Sequence, residues 1–140
     1  MSINGYRVVF EEYSRKHYIR EFEKKYKGAW LTTRKAIVSQ LRNVDMLRDS
    51  GRLSNPPLHF SADRKKWILK QDFAIAGRRE SPHGSGRRLI AYVNESERVV
   101  RVMLVYHKNH IDGSYKGETA WWRSVIKKEF NGLLENIEGI

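Results

Sequence analysis

Residues 87–107 constrain this chain most. Residues 87–93 and 98–107 each alternate their side chains at a period of two, and only Asn94, Glu95, Ser96 and Glu97 separate them. Strands joined by so short a polar turn form an antiparallel hairpin, because parallel neighbours need a crossover of a dozen or more residues. A hairpin alone is marginal in water, so the rest of the chain has to supply further strands and a covering layer.

The remaining periodicities supply both. Trp67, Leu69, Phe73 and Ile75 alternate with Lys66, Lys70 and Asp72, and near the start Tyr6, Val8 and Phe10 alternate with Arg7, Val9 and Glu11, which predicts two more strands. Between them Tyr18, Ile19, Phe22 and Tyr26 share one helical stripe over residues 14–27, with Gly28 as the break. A second helix, capped by Thr32 or Thr33, is expected to about Arg48 on a stripe of Ala36, Ile37, Leu41 and Val44, with Gly51 as its stop. Residues 53–60 hold Ser54, Asn55, Pro56 and Pro57 and read as a loop, since proline removes a ladder donor and pushes its predecessor out of the helical region. Residues 80–86, with Ser81, Pro82, Gly84, Ser85 and Gly86, read as a turn.

Over residues 119–137, Trp122, Ile126, Phe130, Leu133 and Ile137 form the stripe of a last helix, which leaves the adjacent Trp121 partly exposed. No internal repeat is present. The 140 residues therefore predict a single α+β domain: a small antiparallel sheet in β-α-α-β-β-β order, two N-terminal helices packed on one face, and a C-terminal helix. The other face is expected to be wet.

Strand parity then sorts the charges. Leu89, Ala91 and Val93 form one set and leave Arg88 and Tyr92 opposite; Val100, Val102, Leu104 and Tyr106 form another and leave Arg101, Met103, Val105 and His107 opposite. The wet face would collect Lys66, Lys70, Arg88, Arg101 and His107, with Lys108 and His110 at its rim. Lys and Arg ordinarily occupy a solvated sheet face, so their presence alone decides little. Their concentration decides more. The chain carries 27 Lys and Arg against 16 Asp and Glu, a formal charge of +11, and from Arg64 to Arg88 eight basic residues face Asp72 and Glu80 alone. A polyanion is the expected partner, and Arg78, Arg79 and Arg87 join the candidate RNA contacts beside Lys66, Lys70 and Arg101.

The element order, the glycine-ended turn entering Gly86-Arg87-Arg88-Leu89-Ile90-Ala91-Tyr92, the short hairpin, and a last strand ending Val105-Tyr106-His107-Lys108 resemble the RelE/ParE superfamily of toxins from toxin–antitoxin pairs. The resemblance covers about residues 6–110 and rests on element order and a diffuse Gly, Arg, aliphatic, Tyr pattern. It implies an mRNA endonuclease acting on the ribosome without a metal: the ribose 2′-hydroxyl attacks the adjacent phosphate while cations stabilise the added charge and a base and an acid move the protons. By position Arg88 resembles the arginine that holds the scissile phosphate, and His107 a histidine of the last strand that acts as acid or base. Lys108 and His110 stand beside it as further catalytic candidates, and Lys66 and Lys70 sit roughly where other members place second-strand lysines. The resemblance also implies a cognate antitoxin, mRNA and the ribosome as partners and no cofactor. The chain departs from it in a longer 77–86 turn and in its amphipathic terminal segment.

Other chemistries are disfavoured. Cysteine is absent, which excludes disulfides, thiol nucleophiles and thiolate metal sites and suits a reducing cytoplasm. No apolar run approaches membrane length, so no membrane partner is expected. His107, His110 and Asp112 lack the further spaced ligands of a metal site. Ser85 lacks the strand-to-helix setting of a nucleophilic serine, and no helix follows its glycines to cradle a phosphate. Besides the endonuclease, two alternatives stand: the gyrase-inhibiting ParE branch, and a basic nucleic-acid-binding module without activity.

Overall fold

The computed structural model describes residues 5–111, 113 and 115–140. Its sheet has the strand order β1-β4-β3-β2, with β1 Arg7–Phe10, β2 Lys66–Phe73, β3 Arg87–Asn94 and β4 Val99–His107. Strands β2, β3 and β4 form the expected antiparallel meander, with Lys66 opposite Asn94 and Asn94 opposite Val99. Strand β1 instead pairs parallel to β4, from Arg7 opposite Val99 to Phe10 opposite Val102, so the sheet is mixed and not wholly antiparallel. The reason is the connection after it. The helical hairpin crosses one face and returns the chain to its starting end, so β1 and β2 run in the same direction.

That hairpin begins as one continuous helix: α1 Glu12–Ser14, a π-helical turn Arg15–Ile19, and α2 Arg20–Tyr26. Its break is Lys27, at φ +44°, and Gly28 opens α3 (Gly28–Leu41) where a stop was expected. Lys27 serves both helices, donating its N–H to Glu23 O and accepting the N–H of Trp30. Thr33 is consequently inside α3 and is no cap; its hydroxyl donates to Ala29 O and accepts the N–H of Ala76. Trp30, Thr33, Ile37 and Leu41 are the buried stripe and Ala36 is exposed. A break at Arg42 and Asn43 separates α4, Val44–Asp49.

The sheet carries a core on each face. On the hairpin side Ile19, Phe22, Trp30, Ile37 and Leu41 pack on Trp67, Leu69, Phe73, Leu89, Ala91, Val100, Val102 and Val105. The other face, expected to be wet, lies beneath α5 (Glu118–Glu129) and the turns that follow it. Trp121, Trp122, Ile126, Leu134 and Ile137 cover Ile68, Ile90, Tyr92, Met103, Leu104 and Tyr106 there. Helix α5 stops well before residue 137 because Asn131 and Gly132 favour a turn over a helix. The turns bring Leu134 onto the sheet and pair Ile137 with Ser61 in an isolated bridge. Trp121 is buried as well as Trp122, its ring edge-on to Tyr106 at 4.9 Å.

One residue changes the parity of β4. Ile90 pairs with Leu104 and Ala91 with Val102, so Met103 is an extra residue, a β-bulge. Beyond it the faces exchange: Leu104 and Tyr106 join the α5 side, and Val105 joins the hairpin core with Val100 and Val102. His107, opposite Arg87, lies on the hairpin side too, away from Arg88.

Candidate nucleic-acid interface

The bulge divides the candidate residues into two groups. Lys66, Lys70, Arg88 and Arg101 remain on the α5 face, but no open groove joins them. Arg88 is only 12% exposed, with Nε 3.2 Å from Asp72 Oδ1 and 3.2 Å from Glu118 Oε2. Glu118, the first residue of α5, also accepts the Tyr106 hydroxyl at 2.5 Å and lies 3.6 Å from Lys70 Nζ. Burial and the Glu118 hydrogen bond raise the Tyr106 pKa, so this phenol stays protonated and donates. Asp72 is capped on its outer side by the exposed His83, 3.4 Å from Oδ2. Arg101 pairs with Glu11 at 3.2 Å, and Lys66 stands 4.0 Å from Asp63. These four cations are already matched by carboxylates, and through Glu118 two of them, Lys70 and Arg88, clamp the sheet to α5.

A different group forms at the end of the sheet where β2 and β4 finish and β3 begins. Here Phe73, Arg87 and His107 lie side by side across three strands. Gly86, at φ +75°, brings the backbone so close to the last strand that its carbonyl accepts the Lys108 N–H at 2.8 Å. A Cβ at Gly86 would lie 3.1 Å from Lys108 Cγ and 3.2 Å from His107 Nε2, so those side chains would have to shift, and the left-handed φ strains any side chain there. Arg87 is buried, bonded to Glu80 and to the Tyr26 hydroxyl, and so supports the site from beneath. The guanidinium of Arg87 lies 5.0 Å from the Tyr26 ring centroid, Arg78 5.4 Å and Lys25 5.5 Å, so one half-buried tyrosine organises three cations. Arg79 and Lys108 are exposed, and with Lys25 they make no ion pair among the described residues.

The histidines of this end are held by the backbone. His107 Nδ1 accepts the Asn109 N–H at 3.0 Å, and His110 Nδ1 accepts the His107 N–H at 2.9 Å across the 3-10 turn Lys108–His110. Burial lowers the His107 pKa, and Arg87, His110, Lys108 and Lys25 add to the effect, so the imidazole is neutral near pH 7. Burial opposes charge on Glu80, yet the Ile75 N–H and the Arg87 guanidinium outweigh it and hold this carboxyl below its usual range.

Of the candidates, His107, Lys108, His110, Arg78 and Arg87 thus converge at the sheet end; Arg79 follows Arg78 as an exposed residue of the 77–80 segment, and Arg88, Lys66, Lys70 and Arg101 do not join them. Sequence reasoning missed Lys25 and Tyr26, which sit on α2, and the clamp residues Glu118 and Tyr106. Tyr26 carried a signal only as a member of the apolar stripe. Among the described residues no cluster of three or more His, Asp or Glu can hold a metal, and Asp112 lies outside them. Comparison with protein-family models, curated proteins and solved structures finds no match to this chain. No helix among the described residues is long and apolar enough to cross a membrane.

Proposed function

We propose that this protein is an RNA-directed toxin of the RelE/ParE kind that holds the mRNA backbone, on the ribosome or free, at the cationic end of its sheet. One observation carries the reading: Lys25 and Lys108, without carboxylate partners among the described residues, gather with Arg78 around the buried Arg87 and its Tyr26 partner. Backbone phosphates are the ligand such a surface suits, and in a toxin–antitoxin pair an acidic antitoxin segment would cover the same end. The test is fluorescence anisotropy with a single-stranded RNA from low to high salt. Each lost phosphate contact lowers the log-log slope by about 0.7, so Lys25→Ala with Lys108→Ala should flatten it by about 1.4. An unchanged slope would exclude this end as the contact.

Cleavage is the second reading, favoured by the neutral His107 beside two ammonium groups. In metal-free cleavage the 2′-oxygen bonds to phosphorus, the 5′-oxygen leaves with a proton, and a 2′,3′-cyclic phosphate remains. For Nε2 to take the 2′-proton, the imidazole must first carry its own proton on Nδ1 and surrender the Asn109 contact. Incubation with ribosome-bound mRNA decides between the readings: cyclic-phosphate ends with wild type and none with His107→Gln support cutting, and intact mRNA with a stalled ribosome supports binding alone.

A further inference from the structure

We propose that the Lys108–His110 turn is a proton-sensitive latch, closed by two imidazoles that accept backbone N–H groups only while neutral and opened when either becomes an imidazolium. The donors fix the tautomers. A backbone amide nitrogen can only donate, so His107 Nδ1 and His110 Nδ1 must each present a lone pair, which places the ring protons on Nε2. His110 uses that proton toward Glu21 Oε2, 3.3 Å away on α2. An imidazolium carries protons on both nitrogens, so charging His107 releases the Asn109 N–H and charging His110 releases the His107 N–H.

The surroundings give the latch its direction. His107 is faced by Arg87 from β3, Lys25 from α2, Lys108 from the turn and His110, all cationic or able to become so. His110 is faced by Glu21, Tyr18 and Phe22 from the first helix. What opens is defined as well. Because Lys108 N–H bonds Gly86 O, the His107 N–H points away from β3, and since β4 has there run past Val102, its last partner on β1, His110 is its acceptor among the described residues. Opening the turn frays the end of β4 and moves Lys108 off Gly86. Because the folded pKa of His107 lies below the ordinary 6.5, the closed turn is fully favoured above pH 6.5. It loses about tenfold in its closing constant per pH unit from there down to the lowered value.

The latch matters to RNA only through the reading above, and its test contains no RNA, so failure of either leaves the other standing. Imidazole NMR at pH 7.5 should show both rings as Nε2–H tautomers; an Nδ1–H signature on either ring would overturn the proposal. Solvent-exchange protection of the Asn109 amide should then fall about tenfold per pH unit from pH 6.5 down to the lowered His107 value, while the Ile90 amide keeps its protection. His107→Asn with His110→Gln replaces each acceptor by one that cannot titrate, in the pattern of a helix cap. In that variant protection should persist to pH 5. Equal loss in wild type and variant would refute the latch, and the tautomer measurement decides alone if the variant fails to fold.

Discussion

Arg88→Ala separates a clamp from a ligand. Among the described residues the Arg88 guanidinium is the only cation within 3.5 Å of either Asp72 Oδ1 or Glu118 Oε2, and the Asp72 side chain is 7% exposed. Removing one member of a buried pair costs about 3 to 5 kcal/mol, because the other charge is left desolvated. Here the loss is smaller. Lys70 stays 3.6 Å from Glu118 and His83 stays 3.4 Å from Asp72, so partial compensation brings the expected cost to about 2 to 3 kcal/mol. For a chain of this length each kcal/mol moves Tm by roughly 3 °C, which predicts a fall of about 6 to 9 °C. The Tyr106 hydroxyl and the N-terminus of α5 should loosen with it, since Glu118 joins all three.

The assay is a thermal melt and a urea titration of wild type, Arg88→Ala, Glu118→Gln and the double variant. The two substitutions act on one contact, so their effects should fall short of additivity by about 1 kcal/mol or more. RNA affinity of the folded Arg88→Ala protein should match wild type at equal salt. A Tm within about a degree of wild type together with a tenfold loss of RNA affinity would refute the reasoning, because Arg88 would then be free to hold phosphate.

Three further outcomes follow from the same contacts. Gly86→Ala forces a side chain into the left-handed region and against Lys108 and His107, whereas Gly77→Ala at φ +82° meets nothing; urea unfolding should show about 1 kcal/mol lost at Gly77 and more at Gly86, with RNA affinity reduced only for Gly86→Ala. The Glu80 carboxyl is held below its ordinary 4.5, so its contribution is fully present above that value and lost as pH falls through the lowered one; melts of wild type should show an added acid destabilisation below about pH 4.5 that Glu80→Gln lacks. Trp122→Ala should cost about 3 to 5 kcal/mol by the cavity it leaves, and Trp122→Phe much less, since among the described residues the buried indole N–H has no hydrogen-bond partner to lose.

The legible parts of the fold were those written as short-range pattern. The Asn94–Glu97 turn makes its meander by length alone, and Phe22, Ile37 and Leu41 announce the buried side of the hairpin by spacing. The covered second face was illegible for a specific reason. Its inward residues, Ile68, Ile90, Tyr92, Leu104 and Tyr106, are interspersed with Lys66, Lys70, Arg88 and Arg101, so the strands look amphipathic although both faces are packed. Buried Arg88 looks like a solvated arginine until Asp72 and Glu118 are placed beside it, and Glu118 comes from another element thirty residues away. Charge balance across elements is a tertiary fact, which no local window contains.

Parity failed at a single residue, and that residue moved the site. Counting by twos from Val100 puts His107 with Arg101 and Arg88; one extra residue at Met103 puts it with Arg87 and the hairpin. Nothing in Val102-Met103-Leu104 marks a bulge, since all three are apolar and suit either face. The cause lies in what surrounds them. Both Met103 and Leu104 fit the α5 core, so the bulge lets β4 bury consecutive apolar residues on one face, where a regular strand would bury one. The same step turns His107 away from the clamp and toward Lys25 and Arg87, leaving Arg88 to hold α5 and the cations of the sheet end without that clamp's carboxylates.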